Sequence, residues 1–314
     1  MKSPTFAVVI PVFNGAGTLE RAIESVLAQS YPAAQVIVVD DGSTDDTQRV
    51  IRGFGDRVVS LRQANAGVSA ARNNGAKAAT SEWLAFLDAD DWYYPDRLRW
   101  HAEWIARDAG LDFLTGDYEY RRPDGGLISR SMEITEGGRL LLQKANGARE
   151  VLMEAAEFKP FVENHFGDTH TLSVPWRTFM RLGGYPIGQA VCEDVALLIR
   201  LCAVSRRVGV ICEPMGVYLI RPDSATRGDP LRSQHLTVQA LRPLKRLLGD
   251  APPAVRLGYR GRLRRARLNL AYALLKRGKG REAIGAALAL LAENRNLGAL
   301  RDVASIALGA LRGP

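Results

Sequence analysis

Short apolar runs alternate with amphipathic stretches over the first hundred residues of the chain. The apolar runs are rich in aliphatic and β-branched side chains and predict strands at residues 5–11, 35–39, 58–61 and 83–87. Helical spacing follows each of the first three runs, beginning near Thr18, near residue 45 and after Asn65. Alternating strands and helices predict an α/β fold, with a mainly parallel sheet and helices on both faces.

The pattern beyond residue 95 predicts a helix at 95–108 and a further strand at 111–120. It weakens from Arg121 to about Val162, where residues 140–157 have helical spacing, and we interpret this segment as an insertion over a crevice. In the tail, helical segments flank a turn at 277–280, and residues 297–311 form an amphipathic stretch. We therefore predict an α/β domain at 1–235 and a basic, helical C-terminal extension at 236–314.

Polar clusters follow three of the predicted strands, at Phe13-Asn14, at 40–45 and at 88–91. The carboxyl ends of strands in a wound parallel sheet border one crevice, so we expect these clusters to converge. Three carboxylates at 88–91 repel one another unless a cation offsets them. Oxygen ligands of this kind suit Mg²⁺ or Mn²⁺. The alternative is an acidic loop that caps the next helix.

Composition narrows the class of protein only slightly. The 46% hydrophobic and 24% charged residues are ordinary for a soluble globular protein, and no run of eighteen apolar residues occurs, so we expect a cytoplasmic protein. Three cysteines spaced ten residues apart (Cys192, Cys202 and Cys212) predict buried thiols in a reducing compartment. The four histidines include no closely spaced pair, which disfavours a zinc site.

The net charge of +8 divides into +12 for residues 236–314 and −4 for the rest. A basic tail suits an anionic membrane surface, nucleic acid or an acidic partner. Nucleic acid is disfavoured because the tail has only two isolated aromatic residues, Tyr259 and Tyr272. Two interpretations stay open: peripheral contact with the inner face of a membrane through the last helix, and a helical cap whose arginines are solvated.

Five motifs, in order, carry a resemblance to a known family. They are Ile-Pro-Val-Phe-Asn-Gly at 10–15, Val-Asp-Asp-Gly-Ser-Thr-Asp at 39–45, Asn-Ala-Gly at 65–67 with Ala-Arg-Asn at 71–73, Phe-Leu-Asp-Ala-Asp-Asp at 86–91, and Gly-Gly-Tyr at 183–185 with Glu193-Asp194. Together they resemble the inverting family 2 nucleotide-sugar glycosyltransferases, which have the Rossmann-like GT-A fold. The resemblance covers roughly the first 225 residues and excludes the tail.

The resemblance implies a nucleoside-diphosphate sugar donor, with UDP, dTDP or GDP as the nucleotide, and a hydroxyl acceptor. It implies that Asp90 contacts Mg²⁺ or Mn²⁺ most directly, with Asp88 on the ribose or a metal-bound water. It implies that Asp194 is the general base that accepts the acceptor's proton, and that Glu193 orients it. The remaining donor-site residues that it implies are Pro11, Phe13, Asn14, Asp41 for the base, Arg72, Asn73 and Ala89.

Each of these residues also has a structural interpretation. Asp40 and Asp41 could cap a helix with Ser43, and Arg72 could be a solvated helix residue. Glu193 and Asp194 could simply favour the positive end of a helix dipole.

The sequence departs from the family pattern at two places. The Gln-x-x-Arg-Trp signature of processive synthases does not follow Asp194, which favours transfer of a single sugar. Many relatives have a histidine or an arginine after the last core strand that contacts the metal or the diphosphate; this chain has Arg221 there rather than histidine, with His235 as a weaker candidate. We expect residues 121–174 to shape the acceptor site, with Trp176 as a possible sugar platform.

Two other functions stay open at this point. A nucleotidyltransferase also binds metal beside an α/β sheet, but Gly15-Ala16-Gly17 lacks the Lys of a phosphate loop. The other alternative is a non-catalytic protein that binds nucleotide sugars.

Overall fold

The computed structural model describes residues 3–220, 229–293 and 297–312. Within these ranges the strands are β1 Phe6–Val12, β2 Gln35–Asp40, β3 Val59–Arg62, β4 Trp83–Phe86, β5 Trp92–Tyr93, β6 Phe113–Gly116, β7 Glu119–Arg121, β8 Leu127–Arg130, β9 Glu150–Met153, β10 Ser173–Pro175, β11 Val208–Ile211 and β12 Gly216–Leu219. Arg221 lies outside the described residues.

The helices include seven in the first 170 residues: α1 Leu19–Leu27, α2 Thr47–Gly53, α3 Val68–Ala78, α4 Arg97–Arg107, α5 Ser131–Ile134, α6 Glu136–Ala145 and α7 Ala155–Glu163. The later helices are α8 Trp176–Arg181, α9 Glu193–Val204, α10 Pro230–Leu241, α11 Leu244–Leu247, α12 Pro253–Leu275, α13 Gly280–Glu293 and α14 Leu297–Arg312. None of the helices in the described ranges is both long and apolar enough to span a membrane.

The central sheet has eight strands in the order β3-β2-β1-β4-β10-β6-β11-β9. Strands β3, β2, β1 and β4 are parallel, as are β6 and β11, whereas β10 and β9 run antiparallel to their neighbours. Every residue of β1 is buried, as expected for a parallel strand covered by helices on both faces. The predicted α/β architecture is therefore confirmed, and the ends of β1, β2 and β4 meet at one edge.

The predicted strand at 111–120 is two strands in two different sheets. β6 joins the central sheet, and β7 joins a second sheet in the order β5-β12-β7-β8. Asp117 lies between them, and its Oδ1 accepts hydrogen bonds from the backbone N–H groups of Tyr118 and Met132 and from Ser131 Oγ. These bonds turn the chain out of the first sheet.

The helix predicted from spacing at 140–157 is wrong. Helix α6 ends at a turn in which Asn146 and Gly147 have left-handed backbone angles, with φ of 47° and 86°. The chain then forms β9, which pairs with β11 at the edge of the central sheet, and α7, which packs against α12. Much of the segment interpreted as an insertion over the crevice is therefore part of the core.

The C-terminal helices pack against the sheet domain. The predicted helix, turn and helix around Gly278 is confirmed by α12 and α13. Buried residues of α12 such as Val255, Leu263 and Leu270 belong to the same apolar core as the residues beneath the sheet. Helix α10 runs across the predicted boundary at residue 235, and the division into two domains stays a prediction.

Candidate active site

A cleft of about 570 Å³ lies beyond the carboxyl ends of β1 and β4. It is closed on the far side by the start of α9 and by β12. Residues far apart in the sequence meet here because their strands are parallel neighbours and α9 begins at the same edge. The sequence-predicted residues that line the cleft are Pro11, Phe13, Asn14, Arg72, Asp88, Ala89, Asp90, Glu193 and Asp194.

Arg72 joins the two acidic motifs across the cleft floor. Its Nη2 lies 2.6 Å from Asp88 Oδ1, and its Nη1 lies 3.0 Å from Glu193 Oε1. The guanidinium is buried and lies over the ring of Tyr185. Burial alone would lower the pKa of Arg72, but the charges of Asp88 and Glu193 outweigh it and raise that pKa. The sequence-based alternative of a solvated helix residue is therefore wrong.

The acidic stretch after β4 concentrates negative charge at one wall of the cleft. Asp91 is buried, and its pKa is raised well above its usual value by burial and then by the charges of Asp90 and Asp88. Its Oδ1 accepts a hydrogen bond of 2.9 Å from the backbone N–H of Leu219 in β12. The residue that precedes α4 is Asp96, so the alternative in which the acidic loop at 88–91 caps this helix is wrong.

The residues of this wall fit a divalent cation. Asp88 and Asp90 both line the cleft and offer hard oxygen donors, and the side chain of Asp88 is 30% exposed. The carboxylates together raise the pKa of Asp91, which indicates a negative potential that a cation would offset. Coordination of a metal ion by Asp88 and Asp90 stays a prediction.

Asp194 lies in the first turn of α9 and is surrounded by groups that stabilise its charge. Burial raises its pKa, but His165, a hydrogen bond with Asp168, the backbone N–H of Val195 and Arg72 together lower it. The side chain remains 20% exposed. Asp194 is therefore an ionised carboxylate that opens onto the cleft.

Asp168 lines the cleft and was not predicted from the sequence. Burial and the charge of Asp194 raise its pKa well above the usual range, which favours the protonated form as the donor in its hydrogen bond with Asp194. His165 also faces this pair, with its Nε2 3.9 Å from Asp194 Oδ2. A signal was available, because His165, Asp168 and His170 fall within six residues of a chain that has only four histidines.

An aromatic cluster forms the wall next to β12. Tyr218 lines the cleft and packs against Tyr120, with ring centroids 5.5 Å apart. Tyr118 packs edge-on against His170 at 4.4 Å, and its hydroxyl lies 2.6 Å from that of Tyr120. Tyr218, packed against Tyr120, thus gives the cleft an aromatic surface beside its carboxylates.

Asp41 lies beside the cleft but is not among its lining residues. Its Oδ1 accepts hydrogen bonds of 2.8 Å from Gln63 Nε2 and from the N–H of Ala66, and its Oδ2 accepts one of 2.8 Å from the N–H of Gly67. These bonds hold the loop that enters α3. A carboxylate oxygen can accept a further hydrogen bond, so contact with a base stays a prediction.

Asn73 lies away from the cleft. Its Nδ2 donates to the carbonyl of Tyr185, and its Oδ1 accepts from the Tyr185 N–H, both at 2.8 Å. It thereby pairs backbone groups in the buried turn that follows Gly183 and Gly184, both with positive φ. This placement gives Asn73 a packing role in place of the predicted contact with ribose or diphosphate.

The other residues singled out from the sequence have different surroundings. The indole N–H of Trp176 donates to the carbonyl of Ala76, and Trp176 lines a separate hollow beside Trp83. Its expected place in the acceptor site is therefore wrong. His235 is exposed on α10 and does not line the cleft. Cys192 does line the cleft, whereas Cys202 and Cys212 are buried free thiols, as predicted.

Known proteins resemble this chain in sequence. A model described as "Glycosyl transferase family 2" matches residues 7–163, which is half of the chain. "Uncharacterized glycosyltransferase RP339" of Rickettsia prowazekii is 40% identical over 96 residues, covering 31% of this chain and 30% of that protein. "Succinoglycan biosynthesis protein ExoO" of Rhizobium meliloti is 33% identical over 244 residues, covering 75% of this chain and 66% of that protein.

Solved structures share the fold. TarS of S. aureus in complex with UDP-GlcNAc matches with a TM-score of 0.64 and 16% identity, covering 92% of this chain and 81% of that chain. The mannosyltransferase PcManGT of Pyrobaculum calidifontis, in complex with GDP-Man and Mn²⁺, matches with a TM-score of 0.61 and 21% identity, covering 99% and 81%. At these identities the likeness shows the fold alone.

The raised pKa of Asp168 predicts a dependence of stability on pH. An acid whose pKa is raised by folding stabilises the protein below its unfolded pKa, near 3.9, and loses that contribution as the pH rises through its folded pKa. Asp168→Asn keeps a neutral donor to Asp194 and removes this loss. We expect the Tm difference, variant minus wild type, to increase between pH 4 and pH 8 in thermal unfolding.

Asp56→Asn provides the control, because it makes the same chemical change at an exposed carboxylate outside the cleft. A constant or decreasing difference for Asp168→Asn would mean that Asp168 ionises like an ordinary carboxylate.

Proposed function

Since the chain belongs to glycosyl transferase family 2, we propose that it is an inverting glycosyltransferase that moves one sugar from a nucleoside-diphosphate sugar to a hydroxyl acceptor. The observation that carries this proposal is that Asp88 and Asp90 share one cleft with Asp194, with Arg72 linking the two sides. One wall suits a leaving diphosphate with its cation, and the other suits a base for an incoming alcohol.

Asp194 is the proposed general base. The acceptor oxygen bonds to the anomeric carbon as the bond from that carbon to the diphosphate oxygen breaks, and the electron pair of that bond leaves with the diphosphate. The hydroxyl proton passes to a carboxylate oxygen of Asp194. Attack opposite the leaving group inverts the anomeric centre. Glu193, held by Arg72, keeps the first turn of α9 oriented.

The donor is proposed to lie along the β1 and β4 ends of the cleft. Phe13 is 52% exposed there and offers a surface for stacking a base. Asn14 has a left-handed backbone and binds Ser43 and Thr44, which fixes the rim of the cleft beside Pro11. TarS and PcManGT were solved with UDP-GlcNAc and GDP-Man. UDP, dTDP and GDP all remain candidates for the nucleotide here.

Asp90 and Asp88 are proposed to hold Mg²⁺ or Mn²⁺, in keeping with the Mn²⁺ named for PcManGT. When bound, the cation neutralises negative charge that develops on the diphosphate. Arg72 adds a fixed positive charge at the same floor.

The acceptor is proposed to enter beside Tyr218, whose ring offers a surface for a sugar. A surface glycan, a lipid-linked sugar or a small molecule are the acceptor classes we propose, and the name of ExoO supports a role in polysaccharide synthesis. Arg72, Asp194 and Tyr218 together define the region in which the acceptor hydroxyl meets the donor.

Asp194→Asn should lower the turnover number by about 10²- to 10⁴-fold, because the amide cannot accept the proton. The assay is release of nucleoside diphosphate from UDP-, dTDP- and GDP-sugars with Mn²⁺, beside a thermal-shift measurement of nucleotide binding. Asp194→Asn should keep the Mn²⁺-dependent shift, and Asp90→Asn should lose it.

Glu136→Gln is the matched control, since Glu136 is an exposed first-turn acid of α6 outside the cleft. Equal, small effects of Asp194→Asn and Glu136→Gln would favour a helix-dipole role for Asp194. Nucleotide binding without sugar release in the wild type would indicate a non-catalytic binding protein. Pyrophosphate release from a nucleoside triphosphate and a sugar phosphate would indicate a nucleotidyltransferase.

We further propose that the cytoplasmic protein contacts the inner face of the membrane through α14. One face of this helix carries Leu297, Leu300, Leu308 and Leu311, which are 52% to 83% exposed. Arg301 is exposed on the same helix, and the tail carries a balance of +12. Exposed leucines beside basic residues suit an anionic lipid surface.

Flotation of the full chain with vesicles containing phosphatidylglycerol tests this contact. We expect the double variant Leu300→Ser/Leu308→Ser to lose most of its recovery with the vesicles. Leu127→Ser/Ile128→Ser is the control, because it removes two similarly exposed apolar side chains from β8. Equal recovery of the wild type and both double variants would reject the contact, as would binding that neutral vesicles match.

A further inference from the structure

Resting on the proposed role of Asp194, we propose that Arg262 of the C-terminal helix α12 is a positioning residue for the base, acting through His165. Residue 262 lies outside the segment 7–163 that matches the family model. The tail therefore contributes to the proposed base and is more than a solvated helical cap.

Close packing of α12 on α7 brings Arg262 to this place. A Cβ atom at Gly258 would lie 2.5 Å from the carbonyl oxygen of Lys159, so the two backbones approach as only glycine permits. Arg262 is one turn later on the same face of α12. Its Nε donates a hydrogen bond of 2.6 Å to the carbonyl of Val162, close to the end of α7.

Arg262 also fixes the tautomer of His165. A guanidinium has only donors, and Arg262 Nη2 lies 2.7 Å from His165 Nδ1, so Nδ1 is the acceptor. The proton of the neutral ring is then on Nε2. That nitrogen faces Asp194 Oδ2 at 3.9 Å, which is within ion-pair range and longer than a hydrogen bond. The N–H therefore directs positive charge density at the proposed base.

The surroundings of His165 keep the ring neutral. Burial and the charge of Arg262 lower the pKa of His165 to about 4, against the opposing effect of Asp194. Burial lowers the pKa of Arg262 to about 10; Arg265 also lowers it, whereas Cys192, Asp194 and Glu163 raise it. The guanidinium therefore stays charged at neutral pH. Asp194 from α9 and Arg262 from α12 are thus the charged groups that act on the ring.

Loss of Arg262 has a defined consequence. Without the guanidinium the pKa of His165 rises, because the charge of Arg262 no longer lowers it while burial and Asp194 still act on the ring. At pH values below that raised pKa the imidazolium pairs with Asp194. An ion-paired carboxylate is a weaker base, so turnover falls. In the wild type, by contrast, the neutral ring of His165 favours the ionised form of Asp194 but does not form an ion pair with it.

Histidine ¹⁵N NMR tests the tautomer directly and needs no substrate. In the wild type we expect the His165 ring to be neutral, with its proton on Nε2, from pH 5 to pH 8. In Arg262→Gln the ring should titrate at a higher pH than in the wild type, because the lowering effect of the Arg262 charge is gone. The signal is assigned by its loss in His165→Gln. Arg264→Gln is the control, because Arg264 lies on the same helix and pairs with Asp302.

The pH profile of turnover supplies a second measurement. Relative to wild type, Arg262→Gln should lose kcat progressively as the pH falls from 8 to 5.5, because its His165 ring takes up a proton at a higher pH than the wild-type ring does. The double variant His165→Gln/Arg262→Gln should lose this acidic limb, and Arg264→Gln should follow the wild type. The KM for the donor should change little.

A wild-type His165 that is charged at pH 7, or protonated on Nδ1, would overturn the proposal even if no variant folds. So would an Arg262→Gln protein whose ring titration and pH profile match those of Arg264→Gln. Full turnover by Asp194→Asn would instead contradict the proposed function, and the NMR result would still stand.

Discussion

The buried guanidinium of Arg72 is the contact on which the cleft depends. It pairs with Asp88 after β4 and with Glu193 at the start of α9, two segments more than a hundred residues apart. Removing one partner from a buried ion pair costs about 3–5 kcal/mol, because the other charge is left without compensation. Arg72 therefore holds the two walls at a fixed separation while its own positive charge stays beside the cleft.

Around this contact, the acids adopt different protonation states because their environments differ. The pKa of Asp194 is lowered by His165, Asp168, the backbone N–H of Val195 and Arg72, whereas the pKa of Asp168 is raised by burial and by the charge of Asp194. The pKa of Asp91 is likewise raised by burial and then by the charges of Asp90 and Asp88. One cleft can thus offer a base, a neutral donor and a pair of oxygen ligands, all built from aspartates.

The sequence was sufficient for the features that depend on local pattern. Alternating strands and helices predicted the parallel part of the sheet, and its topology brought Asp88, Asp90 and Asp194 to one edge. Changes of chain direction that depend on single residues were not predictable. Asp117 ends β6 before the end of the predicted strand, and Asn146, with its left-handed backbone, interrupts the predicted helix at 140–157. Asn73 was misread for a related reason, since its partner is a backbone turn far away in the sequence.

Asp168, His165 and Arg262 were missed because no motif joins them, and only packing of the helices α7, α9 and α12 brings them together. The occurrence of two of the four histidines, His165 and His170, in one six-residue stretch was a local signal, but it gave no indication of a partner in the tail. The tail's excess charge obscured Arg262, whose contacts reach toward the cleft. Contacts between residues this far apart in the chain leave no periodic pattern in the sequence, so they could not be predicted from it.

In the proposed mechanism, the metal-bound diphosphate and Asp194 lie on opposite sides of the donor sugar. A crystal structure with Mn²⁺ and a UDP- or GDP-sugar, with data collected at the manganese edge, tests it most directly. We expect an anomalous peak within coordination distance of a carboxylate oxygen of Asp90, with the face of the anomeric carbon opposite the diphosphate directed at Asp194. Manganese elsewhere, or a sugar whose diphosphate lies on the Asp194 side, would contradict it.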